Sequence, residues 1–382
     1  MSSEPELQKV TNFRIASWNL MMSVGTPIRY NGAQERSSHF APALYASSTY
    51  RQKPIDIICF QELTVFKEKV LESFVHHRWQ TSEVSSSLFG KKPRVWPAGL
   101  VTVSSFPIEK EAHFIFNGPA YHIEKFVAKG MLYTKIRLSA SAVVHVCNIH
   151  LNAWSTPQAR DARKHQIQEI CCWIQGLNLP QSEPVLLIGD FNIDWYESGC
   201  EVESICRTLR ARPFRIQNGF MFTFDGQENP LVGLDAPEEY VLTKTGQGCY
   251  EDILETGKCS CCPRQLLDGC VEVQWSSSSS PLTLRNSSVV RVLAMSPYEL
   301  NMNFWTKKVV QDVSDHYTPV YDFEIVCRAT AELEENSRKQ GWHHPVQRDA
   351  QFESRLFLAY LFAVMVLAVV LSFAVRRWRS SG

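Results

Sequence analysis

No excess of charge of either sign marks this sequence. Lys and Arg together number 39, Asp and Glu 39, and the formal net charge is zero. Nucleic-acid binders carry a basic surplus that neutralises phosphates, so no nucleic-acid partner is expected. The opening "MSSEPELQKVTNFRIASWNL" lacks a charged start followed by an apolar run, so no secretory signal is expected. No cradle of the form GxxxxGKS or GxxxxGKT occurs, which argues against a nucleoside triphosphatase. The 12 Cys show no disulfide-framework spacing: Cys171-Cys172 and Cys261-Cys262 are adjacent, and Cys59 and Cys147 fall in strand-like runs. Free thiols in a reducing compartment are expected.

With 382 residues and 45% hydrophobic content, there is chain enough for one large domain or two ordinary ones. Residues 1–10 read as a polar N-terminal tail, and residues 11–327 alternate strand-like runs with helical patterns. "FRIASWN", "IDIICF", "GLVTVSS", "LYTKIRL", "VVHVCNI", "PVLLIGD", "YVLTK" and "VVRVLAM" are mostly rich in β-branched residues and bounded by turn formers. "TVFKEKVLESFVHH" spaces Phe66, Val70 and Phe74 four apart, as on an amphipathic helix. "STPQARDARKHQIQEICCWIQG" predicts a second helix, with Ser155 or Thr156 as cap, Pro157 in the first turn, Ile167, Ile170 and Ile174 as the apolar stripe and Gly176 as the stop. About 245–281 reads as an irregular insertion rich in Cys and Ser, and the spacing of Cys249, Cys259, Cys261, Cys262 and Cys270 fits no standard zinc site.

Residues 328–355 read as a polar linker. Residues 356–375 then carry no charge, and at about 1.5 Å per residue they reach about 30 Å, a bilayer's hydrocarbon thickness. One C-terminal transmembrane helix is expected there, followed by a basic tail, 376–382. Arg376, Arg377 and Arg379 would favour the cytosol under the positive-inside rule. The missing signal argues for the opposite orientation, with the preceding domain cytosolic and an endomembrane favoured. The sequon at Asn286 would matter only in the other topology.

Five stretches carry polar residues where apolar strands end: "ASWNL" at Asn19, "IDIICFQEL" at Gln61-Glu62, "VVHVCNIHLNA" at Asn148, His150 and Asn152, "PVLLIGDFNID" at Asp190 and Asn192, and "SDHYTPV" at Asp315-His316. Polar groups at the carboxyl ends of strands in an α/β protein gather at one rim, where ligands bind. Glu62 or Asp190 taken singly has a helix cap as its competing reading; five such endings together are hard to explain as caps. Carboxylates and amide oxygens without thiolates select a hard ion such as Mg²⁺, with Mn²⁺ as the alternative. Two histidines supply a base and an acid for phosphoryl hydrolysis.

The ordered set "WN … QE … H … GDFN … SDH" resembles the endonuclease/exonuclease/phosphatase (deoxyribonuclease I-like) superfamily over about 13–325. "KGMLYTKI", "AGLVTVSSFPI" and "SVVRVLAMSPYELNMNFWTKKVVQDVSDHYTPV" resemble its neutral sphingomyelinase branch. The resemblance implies a four-layer α/β sandwich, with Glu62 as principal metal ligand and Asn19 near the same ion. Asp190 and Asn192 would orient the attacking water and hold the phosphate. His316 would be the general base, Asp315 beside it at the metal or as its support, and His150 an acid or transition-state stabiliser across the phosphate. The implied substrate is sphingomyelin or a related phosphosphingolipid in a membrane, cut to ceramide and a phosphorylated head group. A nuclease or other phosphoesterase on the same scaffold, and a catalytically dead membrane-anchored binding protein, stand as alternatives. Two departures are visible: the family's "LDYVL" strand finds its nearest match in "PEEYVLTK", with Glu239 where Asp is common, and "HLQ" is "HLN".

Overall fold

Residues of alternating direction are buried on both sides of the central strands, as expected for sheets covered on both faces. The computed structural model describes residues 8–22, 32–81, 94, 96–196, 199–232, 264–274, 280–301 and 307–328. The chain divides into two units, Met1–Ser337 and Arg338–Gly382, and every described residue belongs to the first.

Two sheets form the frame. One, of seven strands, runs Asn218–Gly219, Leu282–Val290, Thr318–Arg328, Gln8–Met22, Ile57–Leu63, Val101–Ser104, Trp79–Gln80. The other, of six, runs Ala211–Pro213, Asp268–Val273, Val185–Asp190, Val143–His150, Gly130–Arg137, Ile108–Ile115. Ile15, Ile57, Cys59, Val144, Val146, Leu186 and Ile188 meet in one cluster between the sheets. Their sequence neighbours point outward. Ala16, Ile58 and Phe60 pack under Phe40 and Leu44 of helix Phe40–Ala46 and Val70 of helix Lys67–Ser73. Cys147 and Leu187 pack under Ile167, Ile170 and Ile174 of helix Pro157–Gly176 and Ile205 of helix Gly199–Leu209. Helix, sheet, sheet, helix is the expected four-layer order.

Each sheet centres on one parallel pair. Gln8–Met22 runs beside Ile57–Leu63, with Asn19 opposite Gln61. Val143–His150 runs beside Val185–Asp190, with His150 opposite Asp190. Antiparallel neighbours begin where these strands end: Asp268 lies opposite Asp190, and Thr318–Arg328 starts beside the end of Gln8–Met22. The Thr156 hydroxyl caps helix Pro157–Gly176 by accepting from the Ala159 N–H at 3.2 Å.

Several expectations need correction. The first strand starts at Gln8, inside the expected tail. Phe66 is not on the helical stripe; it precedes helix Lys67–Ser73 with φ 54° and is 43% exposed, because the helix buries only Val70 and Leu71. "VVRVLAM" is not one strand, since Leu282–Val290 ends before Arg291 and a second strand, Leu293–Asn301, pairs with Lys307–Asp312 instead. The stretch read as an irregular insertion contains Asp268–Val273, buried at every position and paired with Val185–Asp190. Cys270 belongs to that strand as a free buried thiol; Glu239, "YVLTK" and the other Cys of that stretch lie outside the described residues. The expected membrane span also lies outside them, and among the described residues no helix is long and apolar enough to cross a membrane.

His77 gives the fold an acid-sensitive point. Its Nε2–H donates to the Ile55 carbonyl at 2.9 Å, and burial pushes the imidazole down to about 4. The neutral ring therefore stabilises the fold fully above the unfolded value near 6.5, and that contribution is lost as pH falls toward 4. Urea midpoints are expected to show about 3 kcal/mol more acid loss in the native protein than in His77→Gln, whose amide keeps the donor without the titration. Equal losses in the two proteins would remove His77 from the explanation.

Candidate active site

The seven side chains to which the resemblance gives roles come to one rim, and they come from both sheets. From the seven-stranded sheet, Asn19 and Glu62 end the parallel pair, and Asp315 and His316 precede its antiparallel neighbour. From the six-stranded sheet come His150, Asp190 and, two residues on, Asn192. Apart from Glu62 and Asn192, which are half-buried, the set is buried.

Asn19 joins the halves. Its Nδ2 donates to Glu62 Oε1 at 3.0 Å and to Asp190 Oδ2 at 3.1 Å. Its own oxygen accepts from the Met21 N–H at 3.0 Å, so here it presents hydrogens to the carboxylates. That makes it a bridge between the carboxylates of the two sheets. The Ser314 hydroxyl donates to the Asn19 carbonyl at 2.6 Å and accepts from the His316 N–H at 3.2 Å, which carries the first strand's end to the last loop. Asn229 Nδ2 donates to the Ser314 and Asp315 carbonyls at 2.9 and 3.1 Å.

Glu62 sits at φ 58°, a left-handed conformation that a non-glycine residue adopts only when its surroundings enforce it. The enforcement is the loop at Ala98-Gly99, whose carbonyls accept from the Glu62 and Leu63 amides at 3.2 and 3.1 Å. A Cβ on Gly99 would stand 2.2 Å from the Leu63 nitrogen, so only glycine lets the loop approach. On the other sheet, a Cβ on Gly189 would meet the Ile149 carbonyl oxygen at 2.1 Å, next to Asp190.

The sequence left Asp315 two places, at the metal or as support for His316; the ring contact belongs to another residue. Its Nδ1–H donates to Asp268 Oδ2 at 2.7 Å, while Asp315 offers it no ring contact. Asp268 is completely buried, and the Thr223 hydroxyl accepts from the Leu267 and Asp268 amides at 3.0 and 3.2 Å. The signal was present: Leu267-Asp268 opens an alternating run, much as "LD" opens the family strand, but it stood among cysteines that drew the reading toward an insertion. With Nδ1 held, Nε2 is the nitrogen left to exchange a proton.

Burial alone would lower the His316 imidazole, but the Asp268, Asp315 and Asp190 carboxylates around it hold it well above its ordinary value. Burial and the charge of Asp268 push Asp190 up to about 7. Burial, with Glu62 adding like charge, pushes Asp315 up to about 6. His150 goes the other way: burial first, then the Lys129 and His316 charges, hold it well below its usual value, so it is a neutral imidazole at neutral pH. Its Nε2 lies 3.6 Å from Asp190 Oδ2 and 3.9 Å from Glu62 Oε1. Asn192 is fixed by its amide N–H to Asp190 Oδ1 at 2.8 Å and by Nδ2 to the Leu151 carbonyl at 3.0 Å. Lys129 donates to the same carbonyl at 2.8 Å and pairs with buried Glu124.

Three of the polar strand-end residues serve the frame. Gln61 Nε2 donates to Asn148 Oδ1 at 2.8 Å, and Asn148 Nδ2 donates across to the Phe60 and Val101 carbonyls at 3.0 and 3.2 Å. This is a buried amide bridge from sheet to sheet. Asn152 Oδ1 accepts from the Tyr121 N–H at 2.9 Å.

Two groupings offer metal-binding oxygens. Asp190, Asp268 and His316 have ligand atoms within 4.8 Å of one another, and in this grouping His316 Nδ1 is already bonded to Asp268 Oδ2. Glu62 and Asp315 are carboxylates close enough for the charge of one to raise the other, and neither carboxylate has a salt-bridge cation within 3.5 Å among the described residues. A hard divalent cation fits that like-charged, all-oxygen pair.

The model for the Endonuclease/Exonuclease/phosphatase family matches residues 16–231. That match ends before Asp268, Asp315 and His316, which the fold returns to the same rim. Sphingomyelinase C 2 from Leptospira interrogans is 24% identical over 242 residues, 59% of this chain and 37% of that protein. Sphingomyelinase C from Bacillus cereus is 30% identical over 157 residues, 37% of this chain and 45% of that protein. The chain thus spans less than half the length of these curated relatives. Among solved structures, beta toxin from Staphylococcus aureus, crystallised with bound magnesium ions, matches with a TM-score of 0.62 at 20% identity over 81% of this chain and 99% of that one. Sphingomyelinase C from Streptomyces griseocarneus matches with a TM-score of 0.62 at 19% identity over 81% and 99% of the two chains. At such identity the likeness is one of fold, the deoxyribonuclease I-like α/β sandwich.

Proposed function

The chain belongs to the Endonuclease/Exonuclease/phosphatase family, and on that premise we propose that it is a phospholipase C-type phosphodiesterase that hydrolyses sphingomyelin or a related phosphosphingolipid. The observation that carries the reading is the hydrogen bond from His316 to Asp268 across the two sheets, facing Asn19, Glu62, Asp190 and His150. Sphingomyelinases among its relatives support the choice of substrate.

Glu62 and Asp315 would hold a divalent cation, Mg²⁺ by preference. When bound, it supplies positive charge at the phosphate oxygens and offsets the carboxylates that keep His316 protonated. Asp268 holds the His316 ring so that Nε2 takes the proton of the attacking water. Asp190 and Asn192 orient that water and the phosphate. The water oxygen bonds to phosphorus as its proton passes to His316 Nε2, the bond from phosphorus to the ceramide oxygen breaks, and that oxygen takes up a proton from solvent, to which His316 then returns the one it took. Neutral His150 suits hydrogen-bond donation to the phosphoryl group in the transition state better than it suits delivery of a proton.

Residues 11–327 form the catalytic domain in this reading, residues 328–355 a linker and residues 356–375 the single anchor of a cytosol-facing protein. The uncharged length of 356–375 supports the anchor. Detergent-solubilised protein is expected to release ceramide from sphingomyelin with Mg²⁺ and to stop with a chelator, followed by mass spectrometry. The full chain should resist carbonate washing of membranes, and a chain lacking 356–375 should not. Ceramide release unaffected by the chelator would sink the metal assignment, and no lipid cleavage at all would sink the reading.

A further inference from the structure

The loop that delivers Asp315 is buried backbone outside any ladder. Val313, Ser314 and Asp315 lie between strands Lys307–Asp312 and Thr318–Arg328, and all three residues are buried. A buried carbonyl left without a donor costs stability, so such a loop needs donors from elsewhere.

Side chains from two remote segments meet all three carbonyls. Arg36 Nη1 donates to the Val313 carbonyl at 3.0 Å. Asn229 Nδ2 donates to the Ser314 and Asp315 carbonyls at 2.9 and 3.1 Å. Asn229 is itself fixed: its N–H donates to the Asp225 carbonyl at 2.9 Å, and its side-chain oxygen accepts from the Leu231 N–H at 3.0 Å.

Arg36 also holds the first strand. The pairing of Gln8–Met22 with Ile57–Leu63 shifts register between Asn19 and Met22, and Met21 sits at φ 51°. Such an irregularity takes backbone groups out of the ladder. Arg36 meets two of them, donating from Nη1 to the Leu20 carbonyl at 2.7 Å and from Nη2 to the Met21 carbonyl. The residue is completely buried, with its guanidinium carbon 5.8 Å from the Phe40 ring centroid. One planar group therefore joins the strand end that carries Asn19, the donor to Glu62, to the loop that carries Asp315. Lysine would keep the charge but not the rigid fork that spans three carbonyls.

A need for donors does not by itself call for a charge. A buried cation bonded two residues from Asp315 repels the ion that Asp315 and Glu62 would hold. What the guanidinium supplies against that repulsion is geometry, and the separation of two carboxylates decides whether both reach one small ion.

We propose that Arg36 and Asn229 are positioning residues for the divalent cation: by clamping the successive carbonyls of Val313, Ser314 and Asp315, they hold Asp315 within coordinating reach of the ion at Glu62. This rests on the metal assignment of the hydrolytic reading and deepens it.

The test is calorimetric titration of Mg²⁺ into the full chain in dodecyl maltoside, with a thermal melt beside it. Arg36→Lys and Asn229→Ala are each expected to weaken Mg²⁺ binding by about tenfold in a protein that still melts cooperatively. Arg36→Met separates charge from position: charge alone predicts tighter Mg²⁺ binding once the cation is gone, and the clamp predicts weaker binding. His77→Ala loses a buried contact to Ile55, at the end of its strand away from Glu62, and should lower the melt with native Mg²⁺ affinity. If the Arg36 variants do not fold, Asn229→Ala, which removes no charge, decides alone. Native affinity in a folded Arg36→Lys or in Asn229→Ala, tighter binding in Arg36→Met, or an equal loss in His77→Ala overturns the clamp. A native protein that binds no Mg²⁺ overturns it together with the metal assignment. Weakened Mg²⁺ binding in the variants of a protein that cleaves no lipid upholds the clamp and removes the hydrolytic reading, so the two failures are separable.

Discussion

Exchanging Asp268 for asparagine is expected to lower turnover by about three to four orders of magnitude while the protein stays folded. The substitution is nearly isosteric in a site with no room to spare, and the Asp268 amide keeps its bond to Thr223. What changes is the proton. Asp268 Oδ2 accepts from His316 Nδ1–H at 2.7 Å. An asparagine that turns its NH₂ toward the ring forces Nδ1 to become the acceptor, which puts the hydrogen on Nε2 and leaves no base for water. The loss should fall on kcat with KM little changed, because the substrate does not touch Asp268. Steady-state kinetics with a thermal melt beside them decide it. Turnover within tenfold of the native protein would mean that His316 needs no carboxylate partner and that the pair is only structural.

Glu62→Gln is expected to weaken Mg²⁺ binding by at least about tenfold and to reduce turnover in proportion at limiting metal. One side-chain oxygen is kept, the other becomes an NH₂, the charge is lost, and the left-handed backbone held by Ala98 and Gly99 is left as it was. Metal titration by calorimetry gives a reading independent of catalysis. Asp268→Asn serves as the contrast and should leave Mg²⁺ affinity nearly intact. The reverse pattern, with Asp268→Asn weak and Glu62→Gln normal, would move the ion to the grouping of Asp190, Asp268 and His316.

Both variants turn on how much of the site could be read without coordinates. Asn19, Glu62, His150, Asp190 and Asn192 were legible because each closes an apolar run, and a run that closes on a carboxylate or an amide in an α/β pattern sends it to the rim. Asp315-His316 was legible for the converse reason: it opens an alternating run, and an antiparallel strand starts where its parallel neighbours stop. Asp268 obeys the same rule, yet it was missed because nearby cysteines and serines made the surrounding composition look irregular. Gln61 and Asn148 follow the first rule too and mean something else. Whether an amide at a strand end faces the rim or the gap between sheets depends on the pleat and twist there, which a string of letters does not carry. Phe66 failed for a simpler reason. Four-residue spacing fits helix interiors, and this helix starts one residue later.

The bridge from Gln61 to Asn148 has a consequence for the site above it. An apolar interface between two sheets grips without direction, so a small sideways slip costs it little. Here the groups of the candidate site are divided between the sheets: Glu62, Asp315 and His316 ride on one, His150, Asp190, Asn192 and Asp268 on the other. Any slip would translate one half of the machinery past the other. The Asn148 amide, accepting from Gln61 at 2.8 Å and donating through the gap to the Phe60 and Val101 carbonyls at 3.0 and 3.2 Å, acts as an alignment pin, and the tolerance of the proposed chemistry is inherited from a pair of side chains that touches none of it.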